Sequence, residues 1–302
     1  MPTPHATLAQ LGRLAPLGAI LIWSGNTLVT KASAAAIDPA SIAFYRWFLA
    51  WLILTPFLGF AVWRRRALVR AHAPRLAVLG ALGMATYQGC AYLAAQTTSA
   101  VNMGVLVALM PLLSALLASA LAGERLTPLR STGTLVSLAG LLWLVARGQP
   151  ERLWSGGMAV GDLWMLVAVG SNALYGVLLK RWASPLSTWQ QLYVQIGFGS
   201  LALAPFWLAG PMTPIDGTNA PLILYAALPA SLGAPFFWMT GIRRLGAART
   251  ALFMNLLPPL VAVLAWWLLG EALHGYHAVG GVIVLLGVTL GLWRRDRRGR
   301  TG

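Results

Sequence analysis

The sequence predicts an all-α integral membrane protein: ten transmembrane helices arranged as two inverted five-helix repeats. Three observations carry that prediction. Of the 302 residues, 58% are hydrophobic and only 10% charged, with a mean hydropathy of +0.70; a soluble chain carries roughly a quarter charged residues. Residues Ala91–Val145 and Trp238–Leu292 repeat one another at a fixed offset of 147 positions. Pro111 pairs with Pro258, Gly123–Glu124 with Gly270–Glu271, Leu126 with Leu273, Gly133 with Gly280 and Gly140 with Gly287. The basic residues, finally, gather in alternate connections between apolar runs. The two units are placed at residues 1–147 and 158–295.

About 20 apolar residues cross the roughly 30 Å hydrocarbon core of a bilayer. Ten runs meet that length, some narrowly: Ala15–Ala36, Ala40–Trp63, Leu76–Ala95, Ala100–Ala122, Ser131–Ala146, Gly161–Leu179, Trp189–Ala209, Leu222–Ile242, Thr250–Leu269 and His277–Trp293. A β-barrel needs ten-residue alternating segments instead, and none is visible. Ser33–Ala36 resembles a signal-cleavage site, but Lys31 interrupts the approach to it and the apolar run is long. We read this run as a retained first helix.

Orientation follows from the basic residues. With the N-terminus in the cytoplasm, all of the 22 Lys and Arg residues fall inside except Lys31, Arg46, Arg147 and Arg152. The positive-inside rule therefore places both termini in the cytoplasm. Five helices per repeat is an odd number, so the second repeat is upside down; such repeats frame a central site in many transporters.

Composition also excludes partners. The net charge of +15 sits in short clusters between apolar runs, which fits topology rather than a nucleic-acid surface. Cys90 is the only cysteine, so no disulfide forms within the chain. No glycine-rich phosphate loop is present, so ATP does not drive the protein directly. Glu271, His274 and His277 have helical spacing but only three candidate ligands in a surface turn, a poor metal site. We expect no cofactor and no enzymatic activity.

Leu121–Thr127 (LAGERLT) followed by Gly133 and Gly140 resembles the repeat signature of the drug/metabolite transporter superfamily, in its EamA family. So does Leu269–Leu273 (LGEAL) with Gly280 and Gly287. Trp23–Asn26 (WSGN) and Phe44–Arg46 (FYR) are similar to the patterns of that family's first and second helices. The resemblance spans essentially the whole chain, and within the family it points to YddG-type aromatic amino-acid exporters. It implies a basket-shaped, multi-pass exporter of the bacterial inner membrane, with the first, third, fourth, sixth, eighth and ninth helices lining a central cavity. Its substrate would be a small, amino-acid-like molecule. Two departures stand out: His274 replaces the threonine found at Thr127, and the second repeat has a tandem Pro258–Pro259.

Candidate residues follow on those helices. Trp23, Asn26, Thr27 and Thr30 share one face of the first helix; Trp164, Ser171 and Tyr175 share one on the sixth, with Asn172 beside them. Tyr87 and Gln88 on the third and Trp238 on the eighth complete a ring of aromatic surface and uncharged polar groups. Such a ring suits an amphipathic substrate with a flat apolar body; the same residue types also serve as packing glue between membrane helices. Pro111, Pro235, Pro258 and Pro259 each remove a backbone donor and release a carbonyl four residues earlier, at Val107, Ser231, Met254 and Asn255. They read as hinges or as static kinks. Glu124 and Glu271 end the fourth and ninth helices, where each caps the following helix or pairs with arginine. Arg46, a charge inside a span, either snorkels outward or bonds an acid such as Glu271 or Asp38. Trp47, Trp63, Trp143, Trp182, Trp189 and Trp293 read as interfacial belt. Asp162 reads as a solvated acid at a helix N-terminus.

The function expected from this is export of small amphipathic metabolites, aromatic amino acids favoured, by alternating access. A sugar-phosphate or nucleotide-sugar carrier is the alternative within transport, and a lipid-modifying membrane enzyme the alternative from another class. The first is disfavoured because no basic residue stands at mid-span, the second because no catalytic cluster is visible.

Overall fold

The computed structural model describes residues 14–122, 128–153, 159–182, 184–245 and 253–292. These form ten helical rods and no strand among the described residues. They are α1 (Ala15–Ser33), α2 (Pro39–Arg64), α3 (Arg66–Ala95), α4 (Ala100–Val107 continued by Met110–Ala122), α5 (Pro128–Val145), α6 (Val160–Arg181), α7 (Thr188–Ala209), α8 (Ala220–Leu245), α9 (Phe253–Leu269) and α10 (Gly275–Leu292). Six of them are long and apolar enough to span a membrane, and shorter apolar stretches lie in α5, α9 and α10.

Start signals match the chain's chemistry. Asp38 caps α2 by accepting from Ser41 N at 3.0 Å, and Ser187 with Gln190 makes a reciprocal capping box on α7. Gly270 adopts a left-handed φ of 66° that closes α9, a conformation glycine takes without a Cβ penalty. One boundary differs from expectation. α3 begins at Arg66 rather than Leu76, because its first turns carry Arg66, Arg70 and Arg75, which hydropathy discounts but helix geometry tolerates.

Packing interleaves the two halves of the chain. α1 packs on α8 and α9, α6 packs on α3 and α4, and α5 packs along α10. The last contact is a close one between small residues: Ser137 Oγ donates to Val284 O at 3.2 Å, and Gly140 lies against Val284, Ile283 and Gly280. The close approach is within one chain.

Four rods are irregular, and the irregularities recur at equivalent positions. α3 widens into a π turn at Ala81–Thr86 and α8 at Ala226–Gly233. α4 breaks after Val107 and resumes at Met110, so Pro111 is the second residue of the resumed helix. α9 enters through a 3₁₀ turn, Phe253–Leu256, and its α-helix resumes at Leu257, with Pro258 second. Proline tolerates the first turn of a helix and not its interior, so both breaks fall where the repeated proline demands them.

Candidate functional site

The irregular turns meet around one cavity of about 690 Å³. Its walls include Gly83 and Met84 from the α3 π turn and Ala230 and Ser231 from the α8 π turn. Val107 and Met110 flank the α4 break, and Met254 and Leu257 stand at the α9 break. Each member of the first half is 147 positions from its counterpart in the second, so the repeat read in the sequence reappears as a paired lining. Within membrane helices, π turns and breaks are tolerated where they face a cavity.

Eight of the eleven ring residues line this cavity: Trp23, Asn26, Thr27, Tyr87, Gln88, Asn172, Tyr175 and Trp238. The rings of Trp23 and Trp238 lie 5.5 Å apart at 52°. Trp23 Nε1 donates to Ala230 O at 3.3 Å, a carbonyl of the π turn. Asn172 Nδ2 reaches Met110 Sδ at 3.2 Å, and Tyr175 OH donates to Gln195 Oε1 at 3.0 Å. Tyr175 approaches so closely because Gly83 has no side chain: a Cβ there would stand 2.8 Å from the tyrosine ring.

Three ring residues do not take part: Thr30, buried and donating to Asn26 O at 2.8 Å, Trp164 and Ser171. Trp164 is 40% exposed and outside the lining; it shares a face of the unbroken α6 with Tyr175 but stands about 16 Å from it along the helix axis. Ser171 is buried, donating to Ala168 O at 2.7 Å and toward Leu82 O at 3.4 Å, so it joins α6 to α3. Among the prolines, Pro235 lines the cavity. Pro258 is buried and Pro259 exposed, and neither lines it.

Arg46 departs most from expectation. It neither snorkels nor bonds Glu271 or Asp38. It is 3% exposed and lines the cavity, with Nε donating to Ser231 Oγ at 2.8 Å and Nη1 to Asn26 Oδ1 at 3.2 Å. Trp47, expected in the interfacial belt, is also buried in the lining, 5.0 Å below the guanidinium. The expectation failed because the residues around Arg46 come from α1, α3 and α8, which no local pattern on α2 can reveal.

The acids behave as connectors. Glu271 takes Ala100 N at 2.8 Å and Val101 N at 3.2 Å, so it caps a helix, but α4 of the other half rather than the helix that follows it. Glu124, its counterpart, lies outside the described residues. Asp162 is 2% exposed rather than solvated, accepting from the Thr98 hydroxyl and from Asn102 Nδ2. Together with the Lys31–Ala95 bond of 2.7 Å, these contacts tie one end of α1, α3, α4, α6 and the α9–α10 turn together.

Sequence reasoning passed over Gln191 and Gln195. Thr188, Gln191 and Gln195 follow helical spacing on α7 and all line the cavity, a signal that was present but unweighed on a helix not expected to contribute.

Apolar rods around a mid-bundle cavity, with broken helices at its walls, define a multi-pass membrane transporter. The EamA-like transporter family model matches residues 10–146 and again residues 159–293. The chain belongs to that family. It is 28% identical over 276 residues to "Uncharacterized transporter YyaM" of Bacillus subtilis (strain 168), covering 88% of this chain and 89% of that one. It is 26% identical over 220 residues to the "Probable terminal-alkyne amino-acid exporter" of Streptantibioticus cattleyicolor, covering 72% of each. A solved crystal structure superposes with a TM-score of 0.58 at 22% identity over 94% of this chain and 96% of that one, a likeness of fold.

Proposed function

We propose that this chain exports small amphipathic metabolites, aromatic amino acids foremost, across a bacterial inner membrane by alternating access. The observation that carries the reading is the paired lining. One cavity is walled at equivalent positions by both halves, so tilting either half about its broken helix opens the same cavity to a different side. Trp23 and Trp238 offer aromatic faces, Asn26, Thr27, Asn172 and Gln191 offer uncharged hydrogen-bonding groups, and about 690 Å³ falls within the usual range for small-molecule sites. The amino-acid exporter among the relatives supports the cargo class. Pro111 and Pro258 serve as the hinges, with both termini cytoplasmic and the second half inverted.

A sugar-phosphate or nucleotide-sugar carrier is the second reading. Its exclusion for want of a buried base no longer holds, since Arg46 lines the cavity; what disfavours it is that, among the described residues, a single guanidinium is the only basic group in the lining, too little for a phosphate dianion in low dielectric. A lipid-modifying enzyme would need a nucleophile and a base together, and the cavity lining offers no histidine, cysteine or carboxylate among the described residues.

The test is flux from proteoliposomes loaded with labelled phenylalanine or tryptophan. Release faster than from protein-free liposomes is expected; equal release for both amino acids removes the proposed cargo. Reporter fusions after Gly210 and Gly302 should report periplasm and cytoplasm respectively, and the same side for both ends the inverted arrangement.

A further inference from the structure

We propose that Arg46 is the cargo anchor and that it selects substrates carrying a carboxylate. This deepens the transport reading above and rests on it. The guanidinium is buried, yet every partner it has among the described residues is neutral: Ser231, Asn26, the Tyr92 hydroxyl at 3.5 Å, and Gln88, whose amide oxygen, turned toward the arginine, accepts from Nη1 and from Nη2 at 3.2 Å. These groups fix its orientation without cancelling its charge. A buried unit charge held only by dipoles is costly, and in membrane interiors such charges mark substrate or ion sites. No Asp or Glu lines the cavity among the described residues, so the counter-charge must arrive with the cargo.

A second donor points the same way. α2 begins at Pro39 and α7 at Thr188, and Arg46 and Gln195 are each seven residues further on. Gln195 is 1% exposed and lines the same cavity. Its oxygen is taken by Tyr175, while its Nε2 has no hydrogen-bond partner. A buried donor left unmade is expensive, and native structures rarely keep one without a reason. The cavity thus presents a cation and an unmatched amide donor at equivalent places of its two halves, beside aromatic faces. A carboxylate brings two acceptor oxygens and the missing negative charge; a neutral amide brings one uncharged acceptor, and an amine brings a positive charge. The guanidinium keeps one Nη2 hydrogen beyond the contacts named, since it carries five in all.

The probes are phenylalanine, 3-phenylpropionate, phenylalaninamide, phenethylamine and phenyl phosphate, each tested for binding to the purified protein in nanodiscs by calorimetry. Phenylalanine and 3-phenylpropionate should both bind, and the amide and amine about tenfold to a hundredfold more weakly, the loss of one charge-assisted contact. Arg46→Gln should weaken the two acids by that factor and leave the amide unchanged, while Arg46→Lys keeps part of the preference. Equal binding of acid and amide to the unaltered protein overturns the proposal without any variant, so a poorly folding Arg46→Gln does not rescue it. So does a substitution that weakens acid and amide alike at unchanged thermal stability, which assigns Arg46 to structure. Phenyl phosphate binding more tightly than 3-phenylpropionate overturns the carboxylate assignment. Binding of 3-phenylpropionate without phenylalanine removes the amino-acid cargo and leaves the anchor standing.

Discussion

Replacing Gly140 by alanine puts a methyl group into the seam between α5 and α10. A Cβ there would stand 2.7 Å from Val284 N, 2.9 Å from Ile283 Cγ2 and 3.0 Å from Gly280 O, whereas ordinary contacts begin at 3.4 Å. Two of these atoms are backbone, so the helices must part by roughly 0.7 Å rather than rotate a side chain aside. That retreat stretches the Ser137–Val284 bond, 3.2 Å as it stands, beyond hydrogen-bonding reach. Overpacking costs about 1–3 kcal/mol and the lost interhelical bond about 0.6 kcal/mol; alanine's better helix propensity returns up to about 1 kcal/mol. A net loss of about 1–2 kcal/mol is expected, read as a lower unfolding midpoint in detergent. Gly287→Ala should behave alike, because its Cβ would meet the backbone of Ser137 and Gly133. Gly170→Ala is the control, with nothing within 4 Å of its Cβ, and should lose nothing. Among the described residues neither α5 nor α10 lends one to the cavity lining, so the KM for cargo should stay unchanged. Gly140→Ala as stable as Gly170→Ala, or a variant that is stable but loses a dimer, would show that this seam does not hold the monomer together.

Trp238→Ala removes one of the two facing indoles and should weaken binding of an aromatic cargo by about tenfold, in keeping with 0.5–1.5 kcal/mol for an aromatic pair beyond its buried area; a purely structural role would show instead as lost stability with unchanged affinity. Glu271→Ala leaves the amides of Ala100 and Val101 without their carboxylate and should cost about 1–2 kcal/mol in the same unfolding assay, with Glu271→Gln intermediate. Transport should proceed in liposomes without a pH gradient and survive Asp162→Asn at reduced stability, because this acid bonds Thr98 and Asn102 away from the cavity; strict dependence on an imposed gradient, abolished by that substitution, would assign Asp162 to proton coupling.

Membrane placement and helix count were legible in the chain because burial in lipid demands long apolar runs, whatever their neighbours are. The repeat was legible too: a proline or glycine at a backbone break is required by local geometry, so Pro111 and Pro258 mark their breaks without knowledge of the fold. Most of the ring could be named for the same reason, since Trp23, Asn26 and Thr27 share a helical face by spacing alone. Trp164 and Ser171 could not be sorted from Tyr175, because α6 is packed against α3 and α4 over part of its surface and only that packing decides which side faces the cavity. The π turns at Ala81–Thr86 and Ala226–Gly233 left no local signature either; one contains a proline and the other none. Arg46 and Gln195 are the clearest case. Arg46 looks like a lone charge in an apolar run and Gln195 like one more polar residue on a helical face, and what each does depends on groups brought to it from other helices. Local chemistry settles where a chain must bend or lie in lipid, while the meaning of a buried charge is set by the distance to its partners, which only the assembled bundle determines.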